Sequence, residues 1–179
     1  MDNHIDNWLK PEDALNRFTL PQSSTIDSQG VSTEEAVIRY GFVIGNTGFL
    51  IAEDILSEIV KNTSIYPIPN TKNWMRGLIN LRGNLVPVYD LNLLLGYSQG
   101  VSKYTNLLVL GKGSQSVGIL IKDLPKSCET SQWKKAAHIP VHLSGLEEYV
   151  TEIYSSDDMI WLEFNHNAYF TSIKDQLGI

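Results

Sequence analysis

Alternating apolar and polar positions predict a hairpin where the apolar pattern of the chain begins. Every second residue from Ile38 to Ile44 is large and apolar, which is the two-residue period of a strand with one buried face. Gly45–Gly48 has the composition of a turn, and Phe49–Ala52 is apolar again. The pattern therefore predicts two antiparallel strands joined by a short turn.

Two further pairs of apolar runs predict hairpins later in the chain. Leu107–Leu110 and Val117–Ile121 are continuous apolar runs joined by a Gly- and Ser-rich segment, which predicts strands buried on both faces. Near the C-terminus, Val150–Tyr154 and Ile160–Phe164 flank a turn of Ser and Asp residues. Short strands with turn signals about every ten residues favour small β-barrels over alternating strands and helices.

Two segments carry apolar residues at helical spacing. Within Glu53–Val60, the apolar residues are spaced as on one face of a helix, which predicts a short helix there. Tyr169, Ile173 and Leu177 recur every four residues before Gly178. They predict a C-terminal helix that ends at a glycine.

The segment Leu78–Leu95 predicts a tight hairpin followed by a short helix. Leu78–Leu81 and Leu85–Tyr89 are apolar, and the turn between them is rich in Gly and Asn, as tight hairpins require. Pro87 has no N–H to donate, so we expect an open edge or a bulge there. Asp90 is expected to cap a helix over Leu91–Leu95.

Arg82 is unusual within this hairpin. It is a long cation at a tight turn, and apolar strands flank it on both sides. A guanidinium in such a place needs an acidic partner or a ligand, because its charge and its five donors are costly to leave unused. We therefore expect Arg82 to contact an acid or to face a binding groove.

Composition places the chain among folded proteins of one domain or of two small, packed ones. Its 179 residues are 42% hydrophobic and 19% charged. No apolar run approaches the roughly 18 residues of a membrane span, and the acidic, polar N-terminus does not match a signal peptide. The single cysteine, Cys128, excludes an internal disulfide. We therefore expect a cytoplasmic protein.

The charge is uneven along the chain and marks a boundary near residue 36. Residues 1–36 hold seven acids and two bases, a net charge of −5, whereas residues 37–179 hold thirteen acids and twelve bases, a net charge of −1. The polar stretch Pro21–Thr33 predicts a linker, and a short helix is expected before Pro21. We therefore divide the chain into an acidic leader, residues 1–36, and a folded domain, residues 37–179.

Charge also restricts what the chain binds. The net charge of −6 argues against nucleic acid or an anionic membrane surface as the main partner. The leader itself has two interpretations, a solubilising segment or a docking segment with apolar anchors. The anchors would be Trp8, Leu9, Leu15 and Phe18.

Patterns typical of catalytic and metal sites are absent or weak. His138 and His142 are four residues apart, but Pro140 between them disfavours the helix that would bring both to one metal ion. No Gly-x-Ser-x-Gly elbow occurs, and Cys128 lies in a strand-like segment without an adjacent base. Gly111–Gly113 lacks the spacing of a phosphate-binding loop. Enzymatic activity therefore has no positive support in the sequence.

Several segments resemble the CheW-like chemotaxis coupling proteins. They are Ile68–Thr71, Gly77–Gly83 and Val86–Leu91. The Asn-Leu-Arg-Gly hairpin is the specific part, and Leu56–Ile59 resembles the Val-x-Glu-Ile motif of the family. The resemblance covers about residues 37–177. The sequence of Tyr66–Thr71 and of Gly83–Val88 is more similar to the branch that serves type IV pilus twitching motility, often called PilI, than to the flagellar branch.

The resemblance implies a mainly β, CheW-like fold of two intertwined five-stranded SH3-like β-barrels, with short helices and a C-terminal helix. It also implies a non-enzymatic adaptor without a cofactor. Such an adaptor couples the cytoplasmic tip of methyl-accepting chemoreceptors to the regulatory domain of a CheA-type histidine kinase. The protein is then expected in the cytoplasm, associated with membrane-bound receptor arrays but not inserted in the membrane.

The resemblance further assigns partner-binding residues. Glu58 matches the glutamate of the family motif, Leu56 matches the apolar position two before it, and Arg82 matches the arginine of the turn. In the family this glutamate and this arginine lie near each other at the receptor-binding surface. The set expected to bind partners is Leu56, Glu58, Asn80, Arg82 and Gly83. The alternative for Glu58 and Arg82 is an intramolecular salt bridge that pins the hairpin to the predicted short helix.

Two positions depart from the family pattern. Lys122 stands where relatives have Asp, with Asp123 after it, and Glu152 replaces a glycine. Both lie in the second half of the chain, so partner contacts of that half are not carried over. The alternative function is an SH3-like binding module for another protein or peptide partner outside chemotaxis. A small-molecule esterase is disfavoured because no nucleophile has a suitable setting.

Overall fold

The computed structural model describes residue 10 and residues 37–97, 106–156 and 159–177. Apart from Lys10, the leader of residues 1–36 lies outside the described residues, together with its expected linker, short helix and apolar anchors. The expected glycine stop at Gly178 also lies outside them.

Most of the described chain forms strands and two α-helices. In chain order the elements are β1 (Ile38–Ile44), β2 (Thr47–Ile51), β3 (Ser57–Val60), β4 (Met75–Leu81), β5 (Asn84–Tyr89), α1 (Leu91–Leu94), β6 (Asn106–Leu110), β7 (Val117–Ile121), β8 (Lys126–Glu129), β9 (Lys134–Lys135), β10 (Val150–Ser156), β11 (Met159–Phe164) and α2 (His166–Leu177). Two 3-10 segments, Gly113–Gln115 and Val141–Tyr149, complete the described structure. No helix in these ranges has both the length and the apolar character needed to cross a membrane.

The strands form two sheets, and the chain passes from the first sheet to the second and back again. The first sheet has the order β8-β1-β2-β11-β10-β9, and the second has the order β3-β6-β7-β5-β4. The chain leaves the first sheet after β2, builds the whole second sheet, and then returns. This confirms the mainly β, intertwined architecture with a C-terminal helix. The first sheet has six strands because the two residues of β9 pair with β10 at its edge.

Both sheets curve back on themselves. In the second sheet β3 and β4 are the outermost strands, and four strand spacings of about 4.8 Å would separate them by about 19 Å if the sheet were flat. Yet Arg82, in the turn after β4, contacts Glu58 on β3 at 2.7 Å. In the first sheet the outermost strands β8 and β9 are joined by only the four residues 130–133. Each sheet is therefore curved like a barrel wall.

Buried apolar side chains fall into a central group and two smaller ones. The central group draws on both sheets and on α2, and includes Phe42, Phe49, Tyr89, Ile119, Leu162 and Phe170. A second group lies on the opposite face of the second sheet: Ile79, Val86, Val88, Leu107, Val109 and Leu120. A third contains Leu50, Cys128 and Trp161. Strands β6 and β7 contribute to two groups, so their expected burial on both faces is confirmed.

The predicted helix over Glu53–Val60 is wrong. Ser57–Val60 is strand β3, which pairs antiparallel with β6 from Ser57 opposite Leu110 to Val60 opposite Leu107. An apolar run this short fits the helical period and the strand period equally well. The edge of β6 decides between them, because it supplies a ladder of backbone hydrogen bonds that a single helical turn cannot match.

The hairpin of β4 and β5 forms as predicted, with Pro87 in a tolerated place. Leu78, opposite Pro87, uses its N–H and its carbonyl to bond Tyr66 on the far side of β4, each at 2.8 Å. The backbone of Pro87 therefore points away from β4, and the pairing of β5 with β7 begins only at Val88. The missing N–H costs no ladder bond in either pairing, as expected of an open position.

Both helices that the sequence predicts after Tyr89 and at the C-terminus are present. Asp90 caps α1, since its Oδ1 accepts a hydrogen bond from the N–H of Leu93 at 3.3 Å. The chain leaves α1 through Gly96, which has a φ of 74°. Helix α2 buries Tyr169 and Ile173, as their four-residue spacing predicts.

Candidate functional site

The turn between β4 and β5 holds Arg82 in a conformation that arginine rarely adopts. Arg82 has a φ of 51° and Gly83 a φ of 86°, the two positive values of a type I′ turn. The side chain of Asn80 accepts a hydrogen bond from the N–H of Gly83 at 2.9 Å and so supports the turn. A left-handed conformation costs a residue with a Cβ about 1–2 kcal/mol. Local stability alone would favour Asn or Gly where Arg82 stands.

Arg82 forms a forked ion pair with Glu58. Its Nη2 donates to Oε2 at 2.7 Å and its Nη1 donates to Oε1 at 3.3 Å. The arginine side chain is 76% exposed and that of Glu58 is 34% exposed. Water screens a pair this exposed, so it contributes about 0–1 kcal/mol to stability. The expected acidic partner of Arg82 is therefore present, but the contact explains little of the strain at the turn.

We call the curved second sheet the second barrel. The ion pair lies at one open end of it, a site that we call the barrel mouth. Its lining comes from the start of β3, the β4–β5 hairpin and the β6–β7 turn: Leu56, Ser57, Glu58, Leu81, Arg82, Asn84, Val86, Gly111, Lys112, Gly113 and Ser116. The mouth encloses about 430 Å³. That volume is within the range of ligand pockets, for which barrel mouths are a common place. Arg82 thus also meets the second expectation, since it faces a groove.

Three of the five residues expected to bind partners line the mouth together. Leu56 is 62% exposed at its rim, beside the Glu58–Arg82 pair. Asn80 and Gly83 do not line it, but shape the turn that carries Arg82. The structure therefore brings the five residues to one end of the barrel, where three line the mouth and two hold the turn.

The β6–β7 turn contributes lining residues that the sequence did not reveal. From the sequence, Gly111, Lys112 and Gly113 are expected to connect two strands, without the spacing of a phosphate-binding loop. They reach the mouth because β6 pairs with β3, so the turn that follows β6 lies beside the residue that precedes β3, where the N–H of Gly111 donates to the carbonyl of Leu56 at 2.9 Å. A lysine between two glycines in a hairpin turn was the only signal for this position in the sequence.

The two departures from the family pattern lie outside the mouth lining. Glu152 on β10 accepts a hydrogen bond from the Nζ of Lys135 at 2.8 Å and so links β10 to the edge strand β9. This ion pair raises the pKa of Lys135. The carbonyl of Lys122 accepts a hydrogen bond from Asn106 at 3.2 Å. Both positions have local structural contacts and neither changes the candidate site.

The groups considered for chemistry are dispersed. Among residues 37–97, 106–156 and 159–177, no cluster of three His, Cys, Asp or Glu side chains could hold a metal ion. His142 contacts the hydroxyl of Tyr97 at 3.1 Å. Cys128 is buried, and burial raises the pKa of its thiol, with Lys126 opposing the shift. A raised pKa disfavours the thiolate, which is the nucleophilic form of a cysteine.

His166, the first residue of α2, is buried in a way that makes stability depend on pH. It is 3% exposed, and its Nε2 has no hydrogen-bond partner in the described part of the chain. Burial lowers the pKa of His166, and the charge of Asp54 opposes this shift only in part. The folded protein therefore holds the neutral imidazole at pH values where the unfolded chain already binds a proton.

We expect the free energy of unfolding to fall as the pH drops below the ordinary histidine pKa of about 6.5 and to keep falling down to the lowered folded pKa. Urea titrations between pH 7.5 and pH 5 measure this, with His166→Asn expected to lose part of the pH dependence. His138→Asn is the control, because His138 is exposed. A folded-state imidazole titration of His166 with a midpoint at or above 6.5 would contradict the prediction.

Comparison with known proteins places this geometry in a family. Residues 40–174 match the model of the CheW-like domain. The chemotaxis protein CheW of Helicobacter pylori is 30% identical over 64% of this chain and 70% of its own length. The protein PilI of Pseudomonas aeruginosa is 22% identical over 72% of each chain.

A solved structure agrees at the level of the fold. The crystal structure of the scaffolding protein TtCheW from Thermoanaerobacter tengcongensis superposes with a TM-score of 0.54, at 22% identity, over 72% of this chain and 88% of its own. The family match spans both sheets, the barrel mouth and most of α2. The chain therefore belongs to the CheW-like domain family.

Proposed function

We propose that this protein is a non-enzymatic adaptor of a chemosensory pathway. It couples the cytoplasmic tip of methyl-accepting chemoreceptors to the regulatory domain of a CheA-type histidine kinase. The observation that carries the proposal is the meeting of Leu56, Glu58 and Arg82 around one open mouth of the second barrel. These are the residues that the family resemblance assigns to partner binding.

The chemistry of the mouth suits a protein partner. An exposed leucine beside a forked ion pair offers apolar area together with directional charge, which is how interface centres combine affinity with orientation. The left-handed Arg82 supports the same view, because residues held in unfavourable backbone conformations cluster at functional positions. Asn80 and Gly83 act in this proposal by holding Arg82 at the rim.

The finer proposal is that the pathway controls type IV pilus twitching motility. Its support is the similarity to PilI of Pseudomonas aeruginosa, at 22% identity, together with the resemblance of Tyr66–Thr71 and Gly83–Val88 to that branch. In this proposal the protein works in the cytoplasm at membrane-bound receptor arrays. Deletion of the gene should then reduce the twitching zone and leave flagellar swimming unchanged, whereas the reverse result would assign the protein to the flagellar branch.

Co-sedimentation tests the adaptor function directly. The purified protein is mixed with receptor-containing membranes and a CheA-type kinase, and kinase autophosphorylation is followed in the pellet. We expect the kinase to sediment, and its autophosphorylation to respond to the receptors, only when the adaptor is present. Membranes without receptors are the control. If the adaptor recruits no kinase above this control, the alternative of an SH3-like module for a partner outside chemotaxis takes its place.

A further inference from the structure

We propose that Lys112 is a specificity-determining residue of the barrel mouth and selects a partner segment in which a carboxylate stands next to an apolar side chain. The apolar side chain enters the mouth and the carboxylate pairs with Lys112. This inference rests on the proposed function, because it names the chemistry that the same site recognises. It adds a residue that the resemblance does not assign.

The β6–β7 turn fixes Lys112 at the rim. Gly111 and Gly113, with φ values of 91° and 61°, stand on either side of it, whereas Lys112 is extended, with a φ of −135°. The N–H of Gly111 is bonded to Leu56, so the turn is tied to β3 at the mouth itself. Lys112 is exposed at this position. Its ammonium group is therefore carried by a turn with defined geometry.

The charges at the mouth are unequal. Arg82 and Lys112 are the cations of the lining and Glu58 is its acid. Glu58 is bonded to Arg82 through both carboxylate oxygens. Of the salt bridges that the described residues form, none involves Lys112. The mouth thus keeps one positive charge that a bound carboxylate can neutralise.

The interior of the mouth is suited to an apolar group. Val86 belongs to the buried apolar group of the second barrel, and Leu81 packs against that group. Leu56 stands 62% exposed at the rim. A side chain that enters would cover these surfaces and exclude water from the rim beside it. Because the attraction between two charges is stronger where water is excluded, Lys112 would then bind the partner's carboxylate more strongly. Charge and apolar area therefore favour one occupant, an acidic and apolar segment of a partner protein.

Affinity measurements on charge variants test the proposal. The dissociation constants of the kinase regulatory domain and of a receptor tip fragment are measured for wild type, Lys112→Gln and Lys112→Glu at two salt concentrations. For the partner that uses the mouth, we expect Lys112→Gln to weaken binding about threefold to tenfold and Lys112→Glu to weaken it further. The salt dependence should become shallower in Lys112→Gln. Lys72→Gln, at an exposed lysine outside the lining, should bind like wild type.

A peptide pair tests the chemistry without either partner. Two capped Gly/Ser peptides that differ only in carrying Leu-Asp or Leu-Asn are titrated into the isotopically labelled full chain, and amide shifts are followed by NMR. We expect the Leu-Asp peptide to shift the amides of Leu56, Val86 and Lys112 at lower concentration, and to lose this advantage with Lys112→Gln. Equal response to both peptides would overturn the carboxylate preference.

The outcomes separate the two proposals. If wild type binds neither the kinase domain nor the receptor fragment, the proposed function fails, and the peptide pair still decides the role of Lys112. If wild type binds and both Lys112 variants bind equally well, the inference about Lys112 fails while the proposed function stands. Loss of folding does not confuse the result, because Lys112 is exposed and the thermal midpoint of each variant is measured in parallel.

Discussion

Arg82→Glu is expected to abolish capture of the protein by receptor-containing membranes while its thermal midpoint stays within a few degrees of wild type. The substitution reverses the charge at the rim of the barrel mouth and places two carboxylates together, because Glu58 is the present partner of Arg82. An exposed pair contributes about 0–1 kcal/mol, and for a chain of this size a loss of the full 1 kcal/mol lowers the thermal midpoint by about 2–4 °C. Pull-down with receptor membranes and a thermal melt measure the two effects.

Two further variants separate binding from structure. Arg82→Asn introduces a residue that favours the left-handed conformation of this turn, so the variant should be at least as stable as wild type. Its capture by receptor-containing membranes should nevertheless be lost, because the arginine side chain is gone. Glu58→Arg combined with Arg82→Glu restores an ion pair of opposite direction. If the ion pair only stabilises the fold, the double variant should recover capture by receptor-containing membranes, because the pair is restored. Unchanged capture of Arg82→Glu would contradict the assignment of this residue to partner binding.

Gly77→Ala is expected to produce the largest loss of stability among the substitutions considered. Gly77 has a φ of 134°, and a Cβ there would collide with the carbonyl oxygen of Tyr66. The chain at Tyr66 cannot move aside freely, since two hydrogen bonds of 2.8 Å tie it to Leu78. Backbone strain and the loss of these bonds together should cost about 3 kcal/mol or more.

Glycines elsewhere in the domain supply matched controls for this prediction. Gly145 has an ordinary φ and open space around it, so Gly145→Ala should change stability by less than about 0.5 kcal/mol. Gly83 has a positive φ but no neighbour that a Cβ would meet, so Gly83→Ala should cost about 1 kcal/mol. Urea denaturation measures all three. A Gly77→Ala variant as stable as Gly145→Ala would contradict the prediction, because the backbone at Tyr66 would then move aside without lowering the free energy of unfolding.

Gly77 also matters for the candidate site. It lies at a bulge of β4, between Met75 and Gly77, from which the strand continues to the turn that carries Arg82. The residues on β4 after the bulge are in regular register with β5, from Leu78 opposite Pro87 to Leu81 opposite Asn84. The position of Arg82 at the mouth therefore depends on a backbone feature five residues earlier in the chain.

Local features of this protein are readable from its sequence because local forces produce them. The period of two in β1, the turn at Arg82 and Gly83, and the cap at Asp90 each involve residues within a few positions of one another. Steric preference and short-range hydrogen bonding are sufficient to determine these features. The contact of Glu58 with Arg82 is different, because it joins distant segments: the family motif pointed to the two residues as neighbours, and the structure places them 2.7 Å apart.

Other features were decided by contacts between distant segments. Ser57–Val60 is a strand only because β6, some 50 residues later, offers its edge, and the same four residues alone read equally well as a helix. Lys112 became part of the candidate site because β6 pairs with β3 and sets the β6–β7 turn beside Leu56, while the curvature of the second sheet brings Arg82 to Glu58 at the same place. His166 lost its contact with water through the packing of α2, which its own sequence does not specify. By itself, the sequence determined the strands and turns of the four predicted hairpins, and it carried the family motif. Only the tertiary structure decided which edges pair and which side chains share one mouth, because burial and pairing between distant segments depend on how the whole chain closes.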